Sequence, residues 1–278
     1  MKKFDGIVYF YGIWVAVLVV LPLLILVLLS FTSGDIYDLS SLTLTLDNYK
    51  AALDPSYIGV MMHSLWLAFI TNVICLVIGY PVAYIITGLN PRIRNTMVLL
   101  ILAPMWSNFL LRTYSWMLVL GNNGPINSVL ESIGLGTVQL MYNNFGVILG
   151  MVYNFLPFMI LPIYLSLTRI DNALVEAARD LGATSKDVFF KVKLPLSMPG
   201  VFSGTTLVFL PAITTFVISR LLGGGQYVLI GNLIEHKFMV QNDWQVGAAI
   251  AVIVAIILLV VLGVLRKLAR GRLELSLW

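Results

Sequence analysis

Long apolar stretches are the feature that most constrains what this chain can fold into. About 20 residues of α-helix cross roughly 30 Å of hydrocarbon, and only helices or closed barrels satisfy the backbone there. Of the 278 residues, 59% are hydrophobic and 11% are charged. The pattern predicts an all-α integral membrane protein, with six transmembrane helices in a single membrane domain, residues 1–278. The predicted spans are Ile7–Leu29, Val60–Ile86, Met97–Leu120, Phe145–Leu167, Gly200–Ser219 and Val246–Leu265.

Lysine and arginine are distributed unevenly between the two sides of the predicted membrane. Cytoplasmic loops carry an excess of these residues. One side collects 13 of the 17: Lys2, Lys3, Arg92, Arg94, Arg169, Arg179, Lys186, Lys191, Lys193, Arg266, Lys267, Arg270 and Arg272. The other side has Lys50, Arg220 and Lys237, and Arg112 lies inside a span. Both termini are therefore predicted to be cytoplasmic, and basic residues grouped at span ends do not indicate nucleic-acid binding.

The predicted outer segment from Thr32 to Gly59 is acidic. Its charged residues are Asp35, Asp38, Asp47 and Asp54 against Lys50. This charge could attract cations. The favoured interpretation is an ordinary solvated loop that membrane insertion keeps free of positive charge.

A cytoplasmic loop between the fourth and fifth spans, residues 169–199, contains two helix starts. The expected positions are Asp171 or Asn172 as the first N-cap, Gly182 as a left-handed stop, Thr184 or Ser185 with Asp187 as a second capped start, and Pro195 as the second stop. The pattern predicts helix, sharp turn, helix. A DNA-binding helix-turn-helix has a similar pattern, but about thirty residues tethered between two spans leave no room for a third helix.

This segment resembles the EAA loop of bacterial ABC importer permeases. The matching residues are Glu176, Ala177, Ala178, Gly182, Leu194 and Pro195. The resemblance implies the type I permease fold, in which the first short helix docks on a cytoplasmic ATPase and transmits ATP-driven closure. These six residues are then the predicted ATPase-coupling residues.

The chain has no P-loop, which would need a glycine-rich turn followed by lysine and serine or threonine. The resemblance accordingly implies a noncatalytic subunit with no cofactor of its own, and with ATP and Mg on a separate ATPase. Its implied partners are a homologous second permease, two ATPase subunits, an external substrate-binding protein and membrane lipid. An ion-coupled secondary transporter is disfavoured because no carboxylate lies in a predicted span. His63 and His236 are far apart in the sequence and predict no metal site.

Segments such as APMWSNFLLRTYSWMLVL and YNFLPFMILPIY resemble the polyamine-importing branch of this family. The resemblance implies spermidine or putrescine as cargo, with iron or an oxyanion as the alternative. A flexible polycation suits aromatic faces and oxygen acceptors. The predicted pathway residues are Trp106, Asn108, Tyr114, Trp116, Tyr153, Asn154, Thr214 and Phe216. The aromatic rings could instead face lipid and the amides could bond between helices, while Arg112 is expected to be paired or to reach the interface.

Overall fold

The computed structural model describes residues 10–36, 38, 40–225 and 228–275, with side chains up to Lys267. Lys2, Lys3 and the start of the predicted span Ile7–Leu29 lie outside the described residues. Regular structure in the described part is helical apart from one antiparallel strand pair, β1 (Thr32–Ser33) and β2 (Thr43–Leu44). The helices are α1 Phe10–Ser30, α2 Asp47–Ala52, α3 Pro55–Thr87, α4 Pro91–Trp106, α5 Phe109–Leu120, α6 Pro125–Ser132, α7 Asn144–Thr168, α8 Asn172–Asp180, α9 Ser185–Thr214, α10 Val217–Leu222, α11 Ile230–Met239 and α12 Trp244–Leu275.

Five helices of the described chain are long and apolar enough to cross a membrane. They are α1, α3, α7, α9 and the Trp244–Lys267 part of α12. A sixth candidate is broken, because α4 and the Phe109–Ser132 segment meet at an angle of 93°. Counted as one span, this pair completes the six predicted, and the all-α membrane fold is confirmed.

Two compact units divide the chain. The first comprises Met1–Val60 with Leu233–Leu259, and the second comprises Met61–Asn232 with Val260–Trp278. The single membrane domain of residues 1–278 stays a prediction.

In the first unit, the buried side chain of Asn48 ties α2 to the end of α1. Its amide donates to the carbonyls of Ser30 at 3.0 Å and Thr32 at 2.8 Å. Ser30 is the last residue of α1, so its carbonyl has no partner within the helix. Lys237 and Asp243 form an ion pair at 2.9 Å in the same unit.

In the second unit, α7 packs along α9. A Cβ atom on Gly200 would stand 2.5 Å from the carbonyl oxygen of Pro162, and one on Gly204 would stand 2.8 Å from Sδ of Met159. Small residues let membrane helices approach closely and gain van der Waals contact. This approach brings the middles of the two helices together and positions the larger cavity described below.

The predicted span Met97–Leu120 is two helices instead of one. Ser107 caps the end of α4, with its hydroxyl donating to the carbonyl of Pro104 at 2.7 Å. Asn108 begins α5, and its Oδ1 accepts from the Leu110 amide at 2.8 Å. Side-chain caps on both sides therefore satisfy the backbone groups that the bend exposes.

The predicted span Gly200–Ser219 is also interrupted, between the end of α9 and the start of α10. The Asn232 side chain donates to the carbonyl of Phe216 at 2.9 Å, and its Oδ1 accepts from the Ser219 hydroxyl. A side chain from a later helix thus bonds to the start of α10, next to the break. Local apolar patterning carries no sign of this partner.

Pro195 does not end the second helix of the loop at residues 169–199, contrary to the prediction. The helix α9 continues past it, with π-helical turns over Val188–Lys193 immediately before the proline. Proline lacks an amide hydrogen, and its ring clashes with the carbonyl four residues earlier in a regular α-helix. The wider π turn moves the hydrogen bonding to the fifth residue and so accommodates the ring.

Candidate coupling loop and translocation cavity

The helix α8 is defined by caps at both of its ends. Asp171 is the N-cap, and its side chain accepts from the Ala173 amide at 3.0 Å. At the other end, the Ala183 amide donates to the Ala178 carbonyl at 3.0 Å. The Gly182 amide donates to the carbonyl three residues before it at 2.8 Å, and Gly182 has φ +84°. These bonds form a Schellman motif, which confirms the predicted left-handed stop.

The start of α9 carries the predicted capping box. The Asp187 amide donates to the Thr184 hydroxyl oxygen at 3.3 Å, and the Thr184 amide donates to the Asp187 carboxylate at 3.2 Å. Lys191 lies 2.6 Å from the same carboxylate. The sharp turn between α8 and α9 is therefore stabilised by the Schellman motif at the end of α8 and by the capping box at the start of α9.

One face of the coupling loop, residues 169–199, is buried and the other is open. Val175 is buried, whereas Glu176 and Ala177 are exposed. Leu181, beside the tight turn, is 89% exposed. A cavity of about 350 Å³ at this turn is lined by Ala178, Leu181, Gly182, Ala183, Asp187, Lys191 and Val192. This exposed apolar and charged surface is suited to a protein partner.

The last two predicted coupling residues lie apart from this cavity. Leu194 is half-buried and Pro195 is exposed on α9, beyond the π-helical turns. Their coupling role stays a prediction.

A larger cavity of about 500 Å³ lies within the second unit, where α5, α7 and α9 converge. It is lined by Phe109, Arg112, Asn154, Phe155, Phe158, Thr206, Leu207, Leu210 and Pro211. Its walls combine three phenyl rings with a small number of polar groups. Mostly apolar walls with a few placed polar groups are typical of small-molecule sites.

Two polar side chains in this cavity have unfilled hydrogen-bonding capacity. Asn154 is 2% exposed; its Nδ2 donates to the Gly150 carbonyl at 2.8 Å, and its Oδ1 has no partner among the described residues. The Nε and Nη1 atoms of Arg112 are also buried without a partner in the described part of the chain. Buried polar atoms are nearly always hydrogen-bonded in folded proteins. Both groups are therefore available to a ligand or to another chain.

The structure places the other predicted pathway residues outside the lining of this cavity. Trp116 and Tyr153 contact each other edge to face, with ring centroids 5.2 Å apart. Trp106 is 77% exposed. Tyr114, Thr214 and Phe216 are exposed, and Asn108 uses its oxygen as a helix cap. Their place on a cargo path stays a prediction.

Sequence reasoning missed the three phenylalanines and Thr206 in the cavity wall. Phe158 follows Asn154 by one helical turn, and Phe109 precedes Arg112 by three residues. Helical spacing therefore places each pair on one helix face. Which faces meet across the cavity depends on how α5, α7 and α9 pack.

The aspartates of the predicted outer segment have local partners. The ion-paired hydrogen bond from Lys50 and a bond from Thr45 hold the pKa of Asp47 below its usual value. Bonds from Ser40 lower the pKa of Asp38, and bonds from Ser56 lower that of Asp54. These carboxylates are ionised at neutral pH, and their hydrogen bonds to neighbouring residues favour the interpretation as a solvated loop.

Residues 2–274 match the protein family described as binding-protein-dependent transport system inner membrane component. The chain belongs to this permease family. The match covers the coupling loop, the larger cavity and all six candidate spans. It also agrees with a multi-pass protein of the inner membrane.

The permease is similar to two PotB proteins along most of the length of each chain. It is 36% identical over 268 residues to the spermidine/putrescine transport system permease protein PotB of Haemophilus influenzae, covering 95% of this chain and 94% of that protein. It is 39% identical over 247 residues to PotB of Escherichia coli K12, covering 88% and 90%.

A crystal structure of a bacterial ABC transporter for import of the acidic polysaccharide alginate has the same fold. The TM-score is 0.80 at 17% identity, covering 97% of the permease and 96% of the solved chain. The predicted resemblance to ABC importer permeases is confirmed. The family match and the two PotB relatives show that the permease is a transport subunit.

Proposed function

We propose that the permease carries polyamines, spermidine or putrescine, across the bacterial cytoplasmic membrane as one subunit of an ATP-driven importer. The observation that carries the proposal is its identity with PotB along nearly the whole of both chains. A match of this extent includes the loop, the spans and the cavity together.

The chemistry of the larger cavity supports a cationic cargo. The Asn154 oxygen can accept from an ammonium group, and the rings of Phe155 and Phe158 line the same space. A cation over an aromatic face gains about 0.5–2 kcal/mol, and methylene spacers gain from apolar walls. The cavity therefore offers both kinds of contact that a polyamine needs.

The proposed complex contains a homologous second permease, two ATPase subunits that bind ATP and Mg, and an external binding protein that delivers cargo. The ATPase docks on α8 and the exposed Leu181 side chain, so that closure of the nucleotide-bound motor is transmitted through the Gly182 turn. This arrangement requires the coupling loop and both termini to be cytoplasmic, as the distribution of lysine and arginine predicts.

A second candidate cargo is an anion such as an oxyanion. The unpartnered guanidinium of Arg112 favours it, because a positive charge in the cavity attracts anions and repels cations.

Uptake into proteoliposomes distinguishes the two cargoes. The complex, purified with its own subunits and binding protein, is reconstituted with ATP and Mg inside or outside the vesicles. Labelled spermidine and putrescine should accumulate only when the ATPase side has ATP, while labelled molybdate should not accumulate. Uptake of molybdate without polyamine uptake would replace the first proposal with the second.

A further inference from the structure

A second, polar cavity lies where the ends of α3 and α7 meet the starts of α4 and α8. Its volume is about 160 Å³, which corresponds to about five water molecules at roughly 30 Å³ each. It is lined by Thr87, Arg94, Leu167, Thr168, Ile170, Asn172, Val175 and Lys193. The space is large enough for a tetrahedral anion, and all of its walls belong to the second unit.

Two cationic side chains face this cavity, and no carboxylate is among its lining residues. The Nε atom of Arg94 is buried and has no hydrogen-bond partner among the described residues. Lys193 places its Nζ 4.8 Å from the centroid of the Tyr84 ring, a contact that leaves its donors free for an anion. A buried guanidinium nitrogen without an acceptor is costly, so an acceptor with negative charge completes the site.

The hydroxyls in the wall are already oriented. Thr87 donates to the Tyr84 carbonyl at 2.7 Å, and Thr168 donates to the Leu165 carbonyl at 3.0 Å. The charged donors that remain for a ligand therefore come from Arg94 and Lys193, with the side-chain amide of Asn172 beside them.

We propose that this cavity binds a phosphate group through Arg94 and Lys193. Guanidinium and ammonium groups together are a typical phosphate-binding pair, and a phosphate has enough oxygens to accept from both at once. The cavity lies at the membrane end that the charge distribution predicts to be cytoplasmic. Basic pockets between helices at that level bind acidic lipid headgroups. The phosphate belongs either to such a headgroup or to free inorganic phosphate.

Occupancy of the site would link the membrane helices to the coupling helix α8. Asn172 and Val175 of α8 form one wall, while Arg94 is on α4 and Lys193 on α9. A phosphate bound to both cations fixes the start of α8 relative to these helices.

Native mass spectrometry of the full-length permease, purified in detergent with the subunits it retains, tests the site. The sample is exposed to phosphatidylglycerol or to phosphatidylcholine with the same acyl chains. The wild type should retain phosphatidylglycerol preferentially. Arg94→Gln and Lys193→Gln should each reduce that retention by about tenfold or more, the loss expected for one charge-assisted contact. Arg92→Gln and Lys186→Gln remove exposed basic residues outside the lining and should leave retention unchanged.

A second arm adds millimolar inorganic phosphate. If phosphate displaces the lipid from the wild type, the two ligands share one anion site. If the wild type shows no lipid preference but binds phosphate, and Arg94→Gln abolishes that binding, free phosphate is the ligand. The proposal fails if Arg94→Gln and Lys193→Gln bind both ligands as the wild type does, or if the two control variants lose as much. Thermal unfolding of every variant shows whether a loss is local, and Lys193→Gln provides a second measurement if Arg94→Gln is unfolded. These readouts need no transport, so they stand apart from the proposed cargo.

Discussion

Replacing Gly182 with valine tests the coupling loop most directly. Gly182 has φ +84°, and a Cβ atom built on it meets nothing within 4 Å. Valine would therefore not collide with the rest of the chain. Its effect would come from the backbone alone, because a side chain at positive φ crowds its own carbonyl.

The size of the effect follows from that strain. A left-handed conformation costs an L-residue about 1–2 kcal/mol, and a β-branched side chain is at the upper end. This free energy lowers the population of the left-handed turn, relative to other conformations of the same residues, by about 5- to 30-fold. We expect transport-linked ATP hydrolysis to fall by up to about 30-fold, while the permease still inserts into the membrane.

Gly134→Val is a matched control. Gly134 has φ +79° and equally open surroundings, but it lies between α6 and α7, away from the coupling loop. Membrane insertion, ATPase copurification and transport-linked ATP hydrolysis are measured for both variants and for Gly182→Asn, which tolerates positive φ. Wild-type hydrolysis in Gly182→Val, or an equal loss in Gly134→Val, would refute a specific coupling role for this turn.

Four further predictions concern orientation, docking, cargo and stability. A reporter fused after Gly182 should be cytoplasmic, and one fused near Asp47 should be external. A reporter after Gly182 that an external protease can reach would contradict the predicted orientation. Glu176→Lys reverses an exposed charge on α8 and should weaken ATPase copurification at normal insertion; unchanged copurification would remove Glu176 from the docking surface. Asn154→Leu removes the free acceptor of the larger cavity and should reduce polyamine uptake up to about thirtyfold at equal complex abundance, whereas normal uptake would exclude it from the path. Asn232→Ala removes the acceptor of the buried Leu229 amide and one donor to the Phe216 carbonyl, and it should cost about 1–3 kcal/mol, seen as a lower unfolding temperature in detergent; an unchanged temperature would contradict this role.

Local features of the structure could be predicted from the sequence. The apolar stretches specify membrane helices because a single segment in hydrocarbon can hydrogen-bond all of its backbone groups only as a helix. The Asp171 cap, the Gly182 turn and the Thr184 capping box each depend on residues within a few positions of one another. Their hydrogen bonds do not involve residues from distant parts of the chain, so the local sequence pattern is sufficient to locate them.

Features that depend on distant partners were decided by the tertiary structure. The break after α9 is stabilised by Asn232, and the packing of α5, α7 and α9 brings Arg112 and Asn154 to one cavity. Pro195 is accommodated inside a helix by the π-helical turns before it. The sequence by itself determined where the long apolar helices lie and how the turn of the coupling loop is capped, because those free energies are local. Only the tertiary structure determined where the long helices break and which side chains share a cavity, because those depend on contacts between residues far apart in the chain.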